Sequence, residues 1–192
     1  MSEQIEVPFY PDVMVDFETT GVHYDHCAIL QISAVKFNLA DTTVHPVFFD
    51  RCLNIPTGRY WEEDCRNWWM KRKDVIANIL QRGEEPKNVL TDFVNWAVHD
   101  HDHSRGALTF WSKPTHFDFS FMQSYLRQFD VVNPFHYRMA NDVNSWIRAR
   151  YFPEPPREWE KELPFEGQVH NAIDDVLHQI KVLMHAYHDT KK

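Results

Sequence analysis

The chain has 192 residues, 43% of them hydrophobic and 25% charged, with 7 Trp, 7 Tyr and 14 Phe, which describes one aromatic-rich packed domain over residues 1–192 and excludes a disordered or fibrous protein. Twenty Lys and Arg against 28 Asp and Glu leave a net charge of −8, so tight non-specific binding to a long polyanion is excluded and any nucleic-acid contact must be local or helped by bound cations. With 5 glycines and no G-x-x-x-x-G-K or G-x-G-x-x-G, Walker-type and Rossmann nucleotide chemistry drop out; Cys27, Cys52 and Cys65, without C-x-x-C spacing, suggest neither a disulfide framework nor a zinc clip and fit a reducing, cytoplasmic setting.

The first residues show no basic n-region or apolar h-region, and no apolar run approaches the roughly 18 residues of a membrane span, so a soluble, unprocessed protein without membrane contact is expected. Val13 to Phe17 is a short apolar run between Pro11 and Thr19-Thr20-Gly21, as expected of a buried central strand ending in a turn. Ala28 to Leu39, with Ile29, Leu30, Ile32, Val35 and Phe37, reads as a second strand, and Val44 to Phe49 as a third. From Trp61 to Leu80 the spacing of Trp68, Trp69, Val75, Ile76 and Ile79 becomes helical, with a break predicted at Lys71-Arg72-Lys73. Pro86 starts a helix whose buried stripe is Val89, Leu90, Phe93, Val94 and Ala97, and which ends in the hydrated loop His99-Asp100-His101-Asp102-His103.

Ala107 to Trp111 reads as a fourth strand, Phe117 to Phe129 as a helix entered through Pro114-Thr115, Tyr137 to Ala140 as a further strand and Asp142 to Arg150 as a helix. Pro153 to Pro164 is expected to be an ordered surface loop, and Gln168 to Tyr187 is the longest helical pattern, with Ile173, Val176, Leu177, Ile180, Met184 and Tyr187 on one face. Strands first, then strands alternating with helices, predict a mixed α/β sheet flanked by helices.

Asp16 and Glu18 lie two apart on a strand, so both leave the same face roughly 6 to 7 Å apart along the chain. Such a pair suits divalent cations about 3.5 to 4 Å apart, and equally suits a strand end that meets water. Asp118 stands in an aromatic setting, yet Thr115 and Asp118 also match the T-x-x-D capping box, a purely structural device. At the opening of the last helix lie His170, Asp174 and Asp175; both acids are off the apolar face, so periodicity does not choose between them, and both also suit the helix dipole. Trp68-Trp69 can fill a core or present a ring to a base, a stacking contact worth about 1 to 3 kcal/mol. Arg66, Lys71, Arg72 and Lys73 can touch phosphate or form a solvated helix face.

In this order the segments resemble the three Exo motifs of the DEDDh (DnaQ-like) 3'-5' exonucleases: Val15-Asp16-Phe17-Glu18-Thr19-Thr20-Gly21, then His116-Phe117-Asp118-Phe119, then His170-Asn171-Ala172-Ile173-Asp174-Asp175. The resemblance runs from Asp16 to Asp175 and, because the family's third motif places four residues between His and Asp, it selects Asp175; His in place of Tyr implies the DEDDh branch. Arg66-Asn67-Trp68-Trp69-Met70-Lys71 is similar to the Trp-Trp segment of phage DexA-type exonucleases and their bacterial exoribonuclease relatives.

The resemblance implies a ribonuclease H-like fold with a mixed five-stranded sheet, and catalytic residues Asp16, Glu18, Asp118, His170 and Asp175. It implies that Asp16, Glu18, Asp118 and Asp175 hold two divalent ions, Mg2+ or Mn2+, with His170 as general base. Phe17 and Glu18 would grip a free 3' hydroxyl, with Thr19, Trp68 and Trp69 as further substrate contacts. The implied reaction removes nucleoside monophosphates from the 3' end of single-stranded DNA or RNA, the implied partner is nucleic acid with a free 3' end, and a homodimer is one state that such proteins adopt. The alternatives are an endonuclease of the wider ribonuclease H-like class and a non-catalytic nucleic-acid-binding module that keeps the fold.

Overall fold

The computed structural model describes residues 8–153, 163–168 and 171–189. Strand β1 (Asp12–Thr19) lies at the centre because it offers apolar side chains to both faces: Val13, Val15 and Phe17 enter one core, Met14 the other, and Val13, Met14 and Val15 are fully buried. β2 (Ile29–Asn38) runs antiparallel to β1, with a register shift between Glu18 and Thr19. The outer edge of β2 carries both β3 (Thr43–Val44) and β4 (Phe49–Cys52), antiparallel. On the other side β5 (Thr109–Ser112) pairs parallel with β1, and β6 (Ala140–Asp142) parallel with β5.

The sheet is therefore five positions wide but six-stranded, since two short strands share one edge. Pro46 is the reason that Val44 to Phe49 is not one strand. It has no N–H for the ladder, the His45 ring accepts the Val47 N–H at 3.0 Å, and pairing resumes only at Phe49. Likewise Tyr137–Met139 forms a single 3₁₀ turn, and strand pairing begins at Ala140.

Helices α1 (Glu63–Trp69) and α2 (Lys73–Gln81) follow β4, with the break where the basic run predicts it. α3 (Pro86–Val98) has Pro in its first turn and Glu85 as cap, the carboxylate accepting the Asn88 N–H at 2.9 Å. α4 (Thr115–Gln128) joins β5 to β6, and α5 (Val143–Tyr151) is capped by Asp142, which accepts the Ser145 N–H at 2.7 Å. α6 (Ala172–His188) starts later than Gln168 because Asn171 caps it, accepting the Ile173 N–H at 3.3 Å. The expected loop from Pro153 to Pro164 falls largely on residues 154–162, outside the described residues.

Helices α3 and α4 cover one face of the sheet and α5 and α6 the other, while α1 and α2 close a third cluster around Leu30, Cys52, Trp69, Ile76 and Ile79. No helix of the described residues is long and apolar enough to cross a membrane. Pairing between β1 and β5 stops at Met14↔Trp111, so the last residues of β1 open into a crevice at the carboxyl ends of the parallel strands.

Candidate active site

Alternation along β1 turns Asp16 and Glu18 to the Met14 side, where α6 passes. α6 delivers Asp175, and one carboxylate oxygen from each of Asp16, Glu18 and Asp175 lies within 4.8 Å of the other two. Asp118 arrives from α4, only 2% exposed, and accepts the Phe17 N–H at 3.1 Å, where β5 no longer runs beside β1. The capping-box reading of Asp118 is thereby overturned. The helix cap falls on Pro114 and no side chain caps it, while the Thr115 hydroxyl turns to the carbonyls of Ser112 and Asn141.

Between the two adjacent acids of α6 the geometry is decisive. Asp174 braces the segment before the helix: it accepts the Gln168 N–H at 2.9 Å, and a Cβ on Gly167, whose φ is +102°, would stand 2.4 Å from its carboxyl carbon. Asp175 is the one turned to β1. One turn further, Gln179 donates Nε2–H to Asp16 Oδ1 at 2.9 Å, and its Oε1 is buried without a hydrogen-bond partner among the described residues. Sequence reading passes over Gln179, although its i+4 spacing from Asp175 places it on the same helix face. His170 lies outside the described residues.

The electrostatics follow from the crowding. Burial, then the neighbouring Asp175, pushes the Asp16 carboxyl up to about 7 against the hydrogen bond from Gln179. Burial, then Asp16, Asp175 and Asp118, pushes Glu18 up to about 9, opposed by the Arg72 guanidinium. Asp118 is raised by burial and by Asp16, against the Phe17 N–H and the Ser112 hydroxyl. Converging hard oxygen donors that protons must otherwise neutralise fit Mg2+ or Mn2+, and the orphaned Gln179 oxygen is a polar group that metal-bound water would satisfy.

The expected substrate contacts divide. Trp69 is 2% exposed and donates Nε1–H to the Thr19 carbonyl at 3.0 Å, so it pins the end of β1 to α1 and offers no stacking face, a correction to its reading as a base contact. Trp68 is half-buried, edge-on to Trp69 at 4.9 Å, with Arg72 over its ring at 3.6 Å. The Thr19 hydroxyl donates to the Gly21 carbonyl at 2.7 Å and builds the turn. Phe17 is buried, yet its strand position borders a cleft of about 590 Å³ whose walls include Asp16, Asp118, Tyr24, Lys113 and His116.

Residues 11–187 match the family described as the Rv2179c-like 3'-5' exoribonuclease domain. No curated protein sequence matches the chain. Among solved structures, the nuclease domain of 3'hExo, a DEDDh family member bound to rAMP, superposes with a TM-score of 0.70 at 12% identity, covering 95% of this chain and 94% of that one. Cell-death related nuclease 4 (CRN-4) gives 0.68 at 17% identity, with 92% of this chain matched but only 63% of that chain's length. Pop2p of S. pombe, in an Mg2+- and Mn2+-bound form, gives 0.66 at 13% identity, covering 91% and 82%. At these identities the structures establish the shared ribonuclease H-like fold, and the sequence match gives the family: the chain belongs to the Rv2179c-like 3'-5' exoribonuclease domain family.

Proposed function

We propose that this protein is a two-metal-ion 3'-5' exonuclease that releases nucleoside monophosphates from the 3' end of single-stranded RNA. The observation that carries the reading is the convergence of Asp16, Glu18 and Asp175 within 4.8 Å, with buried Asp118 beside them. RNA is favoured over DNA by the exoribonuclease description of the family. The free thiols Cys27, Cys52 and Cys65 suit a reducing, cytoplasmic setting, and the whole chain is taken as one catalytic domain.

Asp16, Glu18 and Asp175 would hold one ion, and Asp16 and Asp118 the second. Bound there, the ions would lower the pKa of a coordinated water and would neutralise charge on the leaving 3' oxygen. Gln179 keeps the Asp16 carboxylate oriented, and the Phe17 amide does the same for Asp118, so both acids are aimed before substrate arrives. Trp69, by holding the Thr19 carbonyl, fixes the strand end on which Glu18 sits. His170 accepts the proton of the attacking water and must be neutral to do so. Tyr24, about half exposed on the cleft wall, supplies an aromatic face for the terminal base.

The test is denaturing-gel digestion of matched 5'-labelled single-stranded RNA and DNA with Mg2+, Mn2+ or chelator, for the wild type and Asp16→Asn. The expected result is a metal-dependent ladder shortening from the 3' end, faster on RNA and lost in Asp16→Asn. Internal fragments, or no digestion by folded protein in either metal, would overturn the proposal in favour of an endonuclease or a binding module.

A further inference from the structure

The turn after β1 carries a second group of ligand-type side chains that the exonuclease reading does not use. The N–H groups of His26 and Cys27 both point to the His23 carbonyl, at 3.2 and 2.8 Å, and the tight turn stacks the two imidazoles with centroids 5.1 Å apart. Glu62, which precedes α1, reaches into this turn: its Oε2 accepts the Val22 N–H at 2.9 Å, while its Oε1 meets His23 Nδ1 and lies 3.5 Å from His26 Nε2. One donor atom from each of His23, His26 and Glu62 falls within 4.8 Å of the other two.

Bonds of roughly 2.0 to 2.1 Å in a tetrahedral zinc centre set ligand atoms roughly 3.3 to 3.5 Å apart, so the His26–Glu62 separation already equals a coordination edge. A separate observation fixes the orientation of the ring. His26 Nδ1 lies 2.9 Å from Asp25 Oδ1, leaving Nε2 for the shared centre, which is the carboxylate–histidine arrangement that backs metal-bound imidazoles. Tyr60 stacks on the same ring at 4.7 Å and holds its plane. The Cys27 thiol donates to Glu62 Oε1 at 3.1 Å and so braces the carboxylate from the buried side. Gly21 makes the approach possible, because a Cβ there would stand 2.5 Å from both the Glu62 carboxyl carbon and Cys27 Sγ.

We propose that His23, His26 and Glu62 form a second metal site, for a Zn2+-type transition ion, that clasps the turn after β1 to the start of α1. Two imidazoles and one carboxylate select Zn2+ over Mg2+, the reverse of the all-carboxylate cluster at the end of β1. Val22 and Tyr24 of the clasped turn line the large cleft, so the ion would stiffen the cleft rim and take no part in the chemistry.

The test uses the full chain, stripped with chelator and titrated calorimetrically with Zn2+ in excess Mg2+, with Co2+ absorption as a second readout. One Zn2+ per chain and a tetrahedral Co2+ spectrum are expected, retained in Asp16→Asn and lost in His26→Ala and Glu62→Gln. Asp25→Asn should weaken Zn2+ affinity about 10- to 100-fold. His23→Ala, at a side chain 64% exposed, should lose the ion while melting like the wild type in chelator, which separates ligand loss from misfolding. Undiminished Zn2+ binding in His23→Ala and His26→Ala, binding lost only in Asp16→Asn, or no binding by wild type would each overturn the site and leave a plain histidine–glutamate ion pair.

Discussion

Asp50 on β4 and Asp16 on β1 belong to the same sheet, yet the fold treats them in opposite ways. Asp50 accepts hydrogen bonds from Gln31 and Ser33 at 2.6 Å each and from Arg82 at 2.7 Å. Burial would raise its pKa, but the bonds from Ser33, Arg82 and Gln31 outweigh it and hold the carboxyl below its usual range. Asp16 has Gln179 as its donor and three other carboxylates around it, and stays raised. Asp50 is completed by the protein itself. The carboxylates at the end of β1 are arranged to be completed from outside, and that difference marks a site against a structural contact.

The largest expected effect breaks this contrast directly. Asp16→Ala or Asp175→Ala should lower the exonuclease rate at least about 10³-fold, the equivalent of several kcal/mol of lost charge stabilisation, while Asp50→Asn stays near wild type; single-turnover digestion of labelled RNA measures all three. Next in size, His170→Ala should cost roughly 10² to 10⁴ in rate and remove the rise of activity through about pH 6.5, without changing metal binding.

The two tryptophans sharpen the comparison on the neighbouring helix. Trp69→Ala should destabilise the fold by about 3 to 5 kcal/mol in denaturant titration, because it deletes a buried ring and the bond to Thr19. Trp68→Ala, at a half-buried ring, should cost less stability than Trp69→Ala and weaken single-strand binding by about 1 to 3 kcal/mol, read by fluorescence anisotropy.

A separate effect is the pH dependence of stability. In metal-free protein Asp16 at about 7 and Glu18 at about 9 bind protons more tightly than in the unfolded chain, where their ordinary values are 3.8 and 4.5. The native state then holds the extra protons, so stability declines as pH rises from about 4 through 9. Mg2+ or Asp16→Asn should flatten that decline in thermal melts. Asp50, held low, acts with the opposite sign: its contribution is present above its ordinary value of 3.8 and is lost as pH falls below that value.

How much of this was legible in the sequence depended on how local the cause was. β1 was readable as a short apolar run closed by a turn, and α3 and α6 because their apolar periodicity is carried by a dozen or more residues in a row. The break between β3 and β4 hinged on Pro46, whose missing N–H was plain in the sequence but whose effect on pairing depended on where β2 lay. Asp118 shows the limit of a local motif: Thr115-x-x-Asp118 fits a cap, but the Phe17 N–H that claims the carboxylate is 101 residues away. Asp174 and Asp175 were indistinguishable by periodicity, and the resemblance selected Asp175; the structure adds the reason, the brace to Gln168 against Gly167. Core ring and base contact stay open for Trp69 in the sequence, because nothing local reveals that Thr19, 50 residues earlier, supplies its partner. The His23, His26 and Glu62 group escaped because its members are brought together only when α1 docks on the turn.

Calorimetric titration of the chelator-stripped protein with Mg2+ at pH 7, in two buffers of different ionisation enthalpy, reads metal uptake and proton release together. The account predicts that Mg2+ binds with release of protons from the Asp16 and Glu18 cluster, that affinity rises with pH, and that both effects are lost in Asp16→Asn. Mg2+ binding without proton release, or with undiminished affinity in Asp16→Asn, would contradict it.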